Sequence, residues 1–241
     1  MKRDTLIPRE QPERDEHERE GVIKFTLNHD KAPLSSVVCH EDSPLSELCD
    51  WRGRLRALEM IGGGDPSRYQ GAGFGNLSAR CDVLSGALSD VSSGFMITGS
   101  QTGHLDDYRL ADFALVQRCD VRRGVVESVG LVNPSSESLT HAALYQLGAQ
   151  VRWVFHVHCP HLWRSRARLQ LPSTPRDVPY GTVEMAHAVS SLYHQARRPE
   201  ALLFAMDGHE DGLISFGASA DQVGQLILKA RARLAEEPSG S

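Results

Sequence analysis

The stretch Val151-Arg-Trp-Val-Phe-His-Val-His158 constrains the chain most. Its Val, Trp and Phe residues read as a strand, and that strand is apolar on both faces. Side chains alternate along a strand, so His156 and His158 project to the same side. Two imidazoles on such an element lie buried or at a cleft. Buried paired histidines need partners, and one metal ion can satisfy both. An H-x-H pair also arises by chance on surface strands, so the rest of the chain has to decide between the two readings.

At 241 residues the chain is long enough for one large domain, or two small ones, with a core. A net charge of −5 gives no reason to expect nucleic acid or a membrane surface as partner. No apolar run approaches the ~20 residues that span a bilayer. Met1-Lys-Arg-Asp-Thr5 is charged and lacks the apolar stretch of a secretion signal, so the expected setting is the cytoplasm. The five cysteines are odd in number and form no C-x-x-C pair, which argues against a disulfide framework and against a thiolate zinc site. Cys159 adjoins the histidine pair but faces the other way from His158.

Residues 1–20 are rich in Arg, Glu and Asp and poor in apolar side chains, which predicts a mobile arm, or else an arm that docks on a neighbouring subunit. Residues 21–44 form an N-terminal extension in which Val22–Leu27 reads as an edge strand. Ser43, as N-cap, and Pro44 start a helix that carries Leu48, Trp51, Leu55 and Leu58, and Gly62-Gly-Gly64 stops it. The glycines of Gly71–Arg80 miss the G-x-G-x-x-G spacing of a dinucleotide fold. Gly75-Asn76 can still offer N–H groups and an amide to an anion, or be a plain turn before an edge strand. Phe95–Gly103 is a buried strand opening into a Gly, Ser and Thr loop, suited to phosphate or to a simple turn. Phe113–Gln117 and Val125–Val129 are further strands.

In Pro134-Ser-Ser-Glu137, Ser135 or Ser136 caps a helix carrying Leu139, Ala143, Leu144 and Leu147. Glu137 is then a first-turn acid favoured by the helix dipole, one turn from His141 and within its reach. Gly181–His194 contains another helix, with His187 and His194 read as surface histidines. Ala201–Met206 and Leu213–Phe216 are strands flanking a turn. His209 in that turn could complete a three-histidine site with an open fourth position. Asp221–Leu234 forms a last amphipathic helix, and residues 237–241 fray.

Taken in chain order, these pieces resemble the class II aldolase and adducin head-domain family, and within it the L-fuculose-phosphate aldolases. The resemblance rests on Gly75-Asn76-Leu-Ser-Ala-Arg80, Ile97-Thr98-Gly99, Pro134-Ser135-Ser136-Glu137 with His141, His156-Val-His158, Gly181-Thr182, and Gly208-His209 with Gly212. It runs from about Leu48 to Leu234, inside an expected domain of residues 45–236. It implies an α/β fold: a three-layer α/β/α sandwich with a central, mainly antiparallel sheet. It also implies a homotetramer with active sites between adjacent subunits. One divalent metal per subunit, zinc first and manganese or cobalt as alternatives, would be held by His156, His158 and His209. Glu137 would be the catalytic acid/base, and Asn76, Thr98, Gly99, Ser135 and Ser136 the phosphate site.

The activity so implied is a metal-dependent aldolase that cleaves or forms a C–C bond of a small sugar phosphate through a metal-stabilised enediolate. The family's proton-donor tyrosine comes from a neighbouring subunit, with Tyr145, Tyr180 and Tyr193 as candidates here. Where the family often has Asn-His-Gly, this chain has Gly208-His209-Glu210-Asp211-Gly212, and the two acids could hydrogen-bond to the histidine or alter substrate access. A dehydratase, 4-epimerase or decarboxylase of the same fold is the alternative, although epimerases usually carry Asp where Glu137 stands. A non-catalytic, adducin-like interaction domain is the third reading. Such heads lack the full metal set that this chain retains.

Overall fold

The computed structural model describes residues 20–34, 44–81 and 94–236. Its strands are β1 (Thr26–Asp30), β2 (Asn76–Cys81), β3 (Gly94–Thr98), β4 (Phe113–Asp120), β5 (Val125–Gly130), β6 (Trp153–His158), β7 (Ser173–Thr174), β8 (Leu202–Met206) and β9 (Gly212–Gly217). They form one nine-stranded sheet in the order β1-β5-β4-β3-β2-β6-β9-β8-β7. Six of the pairings are antiparallel, and the β1–β5 and β7–β8 pairings at the two edges are parallel. The sheet is therefore mixed but mainly antiparallel.

Helices cover both faces. On one side lie α1 (Leu45–Ala57), the short α3 (Pro160–Arg164) and α5 (Ala220–Glu236). Their Leu48, Trp51, Leu162, Val223 and Ile227 pack with Trp153, Phe155 and Val157 of β6. On the other side, α2 (Ser138–Tyr145) and α4 (Val183–Gln195) place Leu139, Leu144, Met185 and Val189 against Val154, Phe204 and Ile214. The layering follows from sequence: strands apolar on both faces need cover on both. The α/β/α sandwich is as expected.

Alternation along β6 decides where the histidines go. Trp153, Phe155 and Val157 fill the α1/α5 layer, so His156 and His158 face the layer of α2 and α4. All six residues of β6 are buried. Cys159 joins the α1/α5 core, away from the histidines, and the described cysteines are all free.

Several local expectations differ from the structure. The strand expected at Val22–Leu27 forms at Thr26–Asp30, although at an edge as foreseen. Ser43 lies outside the described residues, as do 1–19 and 237–241. The first helix ends at Ala57, five residues before Gly62, and Gly62 instead pairs with Phe74 in an antiparallel bridge. The strand after Gly75-Asn76 is not an edge: β2 lies between β3 and β6. Its polar side chains serve buried partners rather than water. Ser78 Oγ lies 2.7 Å from both His141 Nδ1 and the Tyr145 hydroxyl, and Arg80 donates to the Tyr145 and Val151 carbonyls.

Candidate metal centre and anion pocket

Two elements bring the histidines together. β6 supplies His156 and His158, and the β8–β9 turn supplies His209, because β9 lies beside β6. All three are buried. His156 Nε2 and His158 Nε2 are 3.0 Å apart, and the His209 ring stacks on that of His156 with centroids 5.1 Å apart.

The outer nitrogens orient two of the rings, those of His156 and His209. His156 Nδ1 lies 3.1 Å from the Leu213 carbonyl, which can accept only if Nδ1 carries the proton. Its Nε2 is then left as the ligating atom. His209 Nδ1 lies 3.2 Å from Glu137 Oε1. His209 Nε2 points to Glu20 Oε2 at 2.8 Å, and that oxygen is 3.7 Å from His158 Nε2. One ligand atom each from Glu20, His156, His158 and His209 lie within 4.8 Å of one another. Metal–nitrogen bonds of ~2.0–2.1 Å in a tetrahedral site put ligand atoms roughly 3.3 Å apart, so the residues present fit a divalent ion.

The charges agree with that fit. Burial lowers the pKa of His156, and burial together with the charges of His209 and His156 takes that of His158 well below the usual imidazole value. Both are thus neutral, the form that binds metal. Burial also opposes a charge on His209, but the carboxylates of Glu20 and Glu137 outweigh it and raise its pKa to about 10. The metal-free cluster thus keeps one proton where a cation fits.

Glu137 immediately precedes α2, and its backbone N–H donates to Ser135 Oγ at 3.2 Å. The side chain is fully buried, and neither carboxylate oxygen has a hydrogen-bond partner. Burial favours the neutral acid, but His156 and His209 outweigh it and hold the pKa at about 2. His141 does not bond to this carboxylate: its side chain turns to Ser78, and only its backbone N–H meets the Glu137 carbonyl.

Beside the cluster lies a small concavity, open to solvent, lined by Gly73, Gly75, Asn76 and the Gly99–Gly103 and Ser135–Ser136 segments together with Glu20 and Gly21. Asn76 sits opposite His156 across the β2–β6 ladder, which joins pocket to cluster. Of the residues expected to hold phosphate, Asn76, Gly99, Ser135 and Ser136 line this pocket. Thr98 does not: its hydroxyl accepts the Leu77 N–H within the sheet.

Of the tyrosines, Tyr180 stacks on the His209 ring at 4.5 Å, while Tyr145 bonds to Ser78 and Tyr193 to Gln150. Glu210 is exposed. Asp211 accepts a 2.8 Å hydrogen bond from the Tyr69 hydroxyl, and the Tyr69 ring packs edge-on against His158. Asp211 therefore braces the wall of the site rather than His209. Two residues escaped the sequence reading. Tyr69 sits in no motif, and Glu20 was counted with the N-terminal arm as one acid in a charged run.

The deciding observation is a sequence match. Residues 67–223 match the model of the class II aldolase and adducin N-terminal domain family. The chain belongs to that family. No curated protein matches the chain in sequence. Among solved structures, an L-fuculose 1-phosphate aldolase aligns over 85% of this chain and 92% of its own, with 17% identity and a TM-score of 0.55. YgbL from Klebsiella pneumoniae, described as a candidate aldolase/epimerase/decarboxylase, aligns over 81% and 90% with 18% identity and a TM-score of 0.54. A sugar-phosphate aldolase from Thermotoga maritima aligns over 80% and 97% with 14% identity and a TM-score of 0.52. At these identities the likeness is one of fold. Class II aldolase-family members of this fold include epimerases and decarboxylases as well as lyases, so fold alone does not choose the reaction.

Proposed function

We propose that the protein is a zinc-dependent class II aldolase that cleaves or forms a C–C bond of a small phosphorylated sugar. One observation carries this reading. Glu137 is a fully buried carboxylate paired with His156 and His209 of a three-histidine cluster and beside a donor-lined pocket. A fully buried acid whose ion-pair partners are two histidines of the cluster marks a functional site rather than a packing contact.

The assignments follow from position. His156, His158 and His209 hold the ion through neutral imidazoles. A divalent ion there supplies Lewis-acid stabilisation of negative charge on substrate oxygens. Asn76, Ser135, Ser136 and the Gly99 backbone seat the phosphate, which fixes the sugar relative to the cluster. Thr98 holds β2 to β3 through its hydroxyl. Glu137 is ionised at neutral pH and stands beside the cluster, where it would take a proton from a carbon next to a carbonyl and return it. Tyr180 and Tyr69 wall the cluster and limit water. By its resemblance to the family, the enzyme is a homotetramer with sites between subunits, and its charged N-terminus suits a cytoplasmic setting.

A dehydratase, epimerase or decarboxylase would use the same carboxylate, so a panel of sugar phosphates should be scored for all four outcomes. The aldolase reading predicts release of an aldehyde from at least one ketose phosphate. Glu137→Gln should keep its metal and lose roughly 10²- to 10⁴-fold in turnover, while His156→Ala should lose both. Full turnover by Glu137→Gln would overturn the role given to that residue.

A further inference from the structure

Glu20 lies outside the residues that the family resemblance covers, yet its carboxylate is inside the cluster. Its Oε2 is 2.8 Å from His209 Nε2 and 3.7 Å from His158 Nε2. Only 8% of the side chain is exposed. Glu137 approaches from the other side, facing Nδ1 of His209 and of His156. Of the two acids, Glu20 is therefore the one on the side where the Nε2 atoms converge.

The segment that carries Glu20 is tied down along its length. The Glu20 carbonyl accepts from Gln101 Nε2 at 3.5 Å. Gly21 has φ +79°, a left-handed conformation that strains any residue with a side chain, and it packs against the end of Gln101. The Val22 N–H donates to the Tyr180 hydroxyl at 3.1 Å, and Lys24 Nζ sits 3.7 Å above the Tyr180 ring, which itself stacks on His209. From Thr26 the chain joins the sheet beside β5. Glu20 and Gly21 also line the anion pocket.

We propose that Glu20 is a fourth ligand of the metal in the resting enzyme, delivered by a strap over residues 20–25 that substrate must displace. This rests on the metal-centre reading given above. Three histidines and one carboxylate complete a tetrahedral set and leave no open position. Substrate oxygens gain the metal only as Glu20 leaves, and the anionic end of the substrate reaches its pocket only as Gly21 lifts. The strap keeps the resting site dry and couples metal access to occupancy of the anion pocket.

The test uses full-length protein, Co²⁺ as the probe metal and inorganic phosphate as the probe anion. Co²⁺ affinity is measured by calorimetry and coordination by visible absorption, for wild type, Glu20→Gln, Gly21→Val and the exposed control Glu47→Gln. Gly21→Val leaves the carboxylate intact but strains the left-handed turn at φ +79° that holds the strap down, all the more because valine is β-branched. We expect Glu20→Gln and Gly21→Val each to weaken Co²⁺ binding roughly 10- to 100-fold, the loss typical of even an indirect metal partner. Both should share an altered absorption spectrum and bind phosphate more tightly than wild type, while Glu47→Gln matches wild type. Wild-type affinity and spectrum in both strap variants would overturn the proposal. If wild type itself bound no Co²⁺, the metal centre would fall, and the strap with it.

Discussion

His141 is buried without a charge partner of its own. Its Nδ1 meets Ser78 Oγ, its Nε2 has no hydrogen-bond partner, and burial lowers its pKa to about 3. In the unfolded chain an ordinary histidine titrates near 6.5. Between those values the unfolded state binds more protons, so stability rises with pH there. The contribution is complete above about pH 6.5 and is lost as pH falls toward 3, at about 1.4 kcal/mol per pH unit for one group. His141→Gln should flatten urea-unfolding stability between pH 6.5 and pH 4 by one proton's worth of slope relative to wild type. Parallel profiles would place the titration elsewhere. Residues of this kind were only half legible. The H-x-H spacing, the acid after two serines and the histidine at a strand end can be read as types in a pattern. Glu20 cannot, because it meets His209 across 189 positions and nothing local marks it. Nor does spacing reveal that the Thr98 hydroxyl accepts a hydrogen bond from the neighbouring strand.

At the scale of elements, the crossing of α1 and α5 depends on a missing side chain. A Cβ at Gly224 would fall 2.1 Å from the Trp51 ring. That ring lies against Phe155 at 6.0 Å and donates its N–H to Asp221, so it has little room to retreat. Alanine gains about 1 kcal/mol in helix propensity over glycine, but overpacking costs about 1–3 kcal/mol. Gly224→Ala should therefore lower the melting temperature by a few degrees in calorimetry. An unchanged or higher value would mean that the helices can separate freely. Elements with strong apolar periodicity, such as β6 and α5, were readable from sequence. β2 was legible as a strand but read as an edge, because its Asn, Ser and Arg gave no sign that both of its neighbours would be strands. Ser78 and Arg80 are instead buried or half-buried and bonded to α2 and its following turn.

For the whole molecule, the account is that one sheet, covered on both faces, holds three histidines and a sealed acid around a divalent ion. Layering was legible, because strands apolar on both sides leave few alternatives. The sheet order was not, since pairing between distant strands follows from packing rather than from local pattern. The expected fourfold assembly concerns the oligomer and is checked by light scattering. No described helix is long and apolar enough to cross a membrane. A ligand that binds only the folded state stabilises it by about 2.7 kcal/mol at a concentration 100-fold above its Kd. The most direct measurement is thus thermal unfolding of dialysed protein with and without added Zn²⁺, for wild type and His156→Ala. The account predicts a melting temperature several degrees higher with zinc in wild type and no shift in the variant. Equal responses in the two proteins, or none in wild type with zinc, manganese or cobalt, would contradict it.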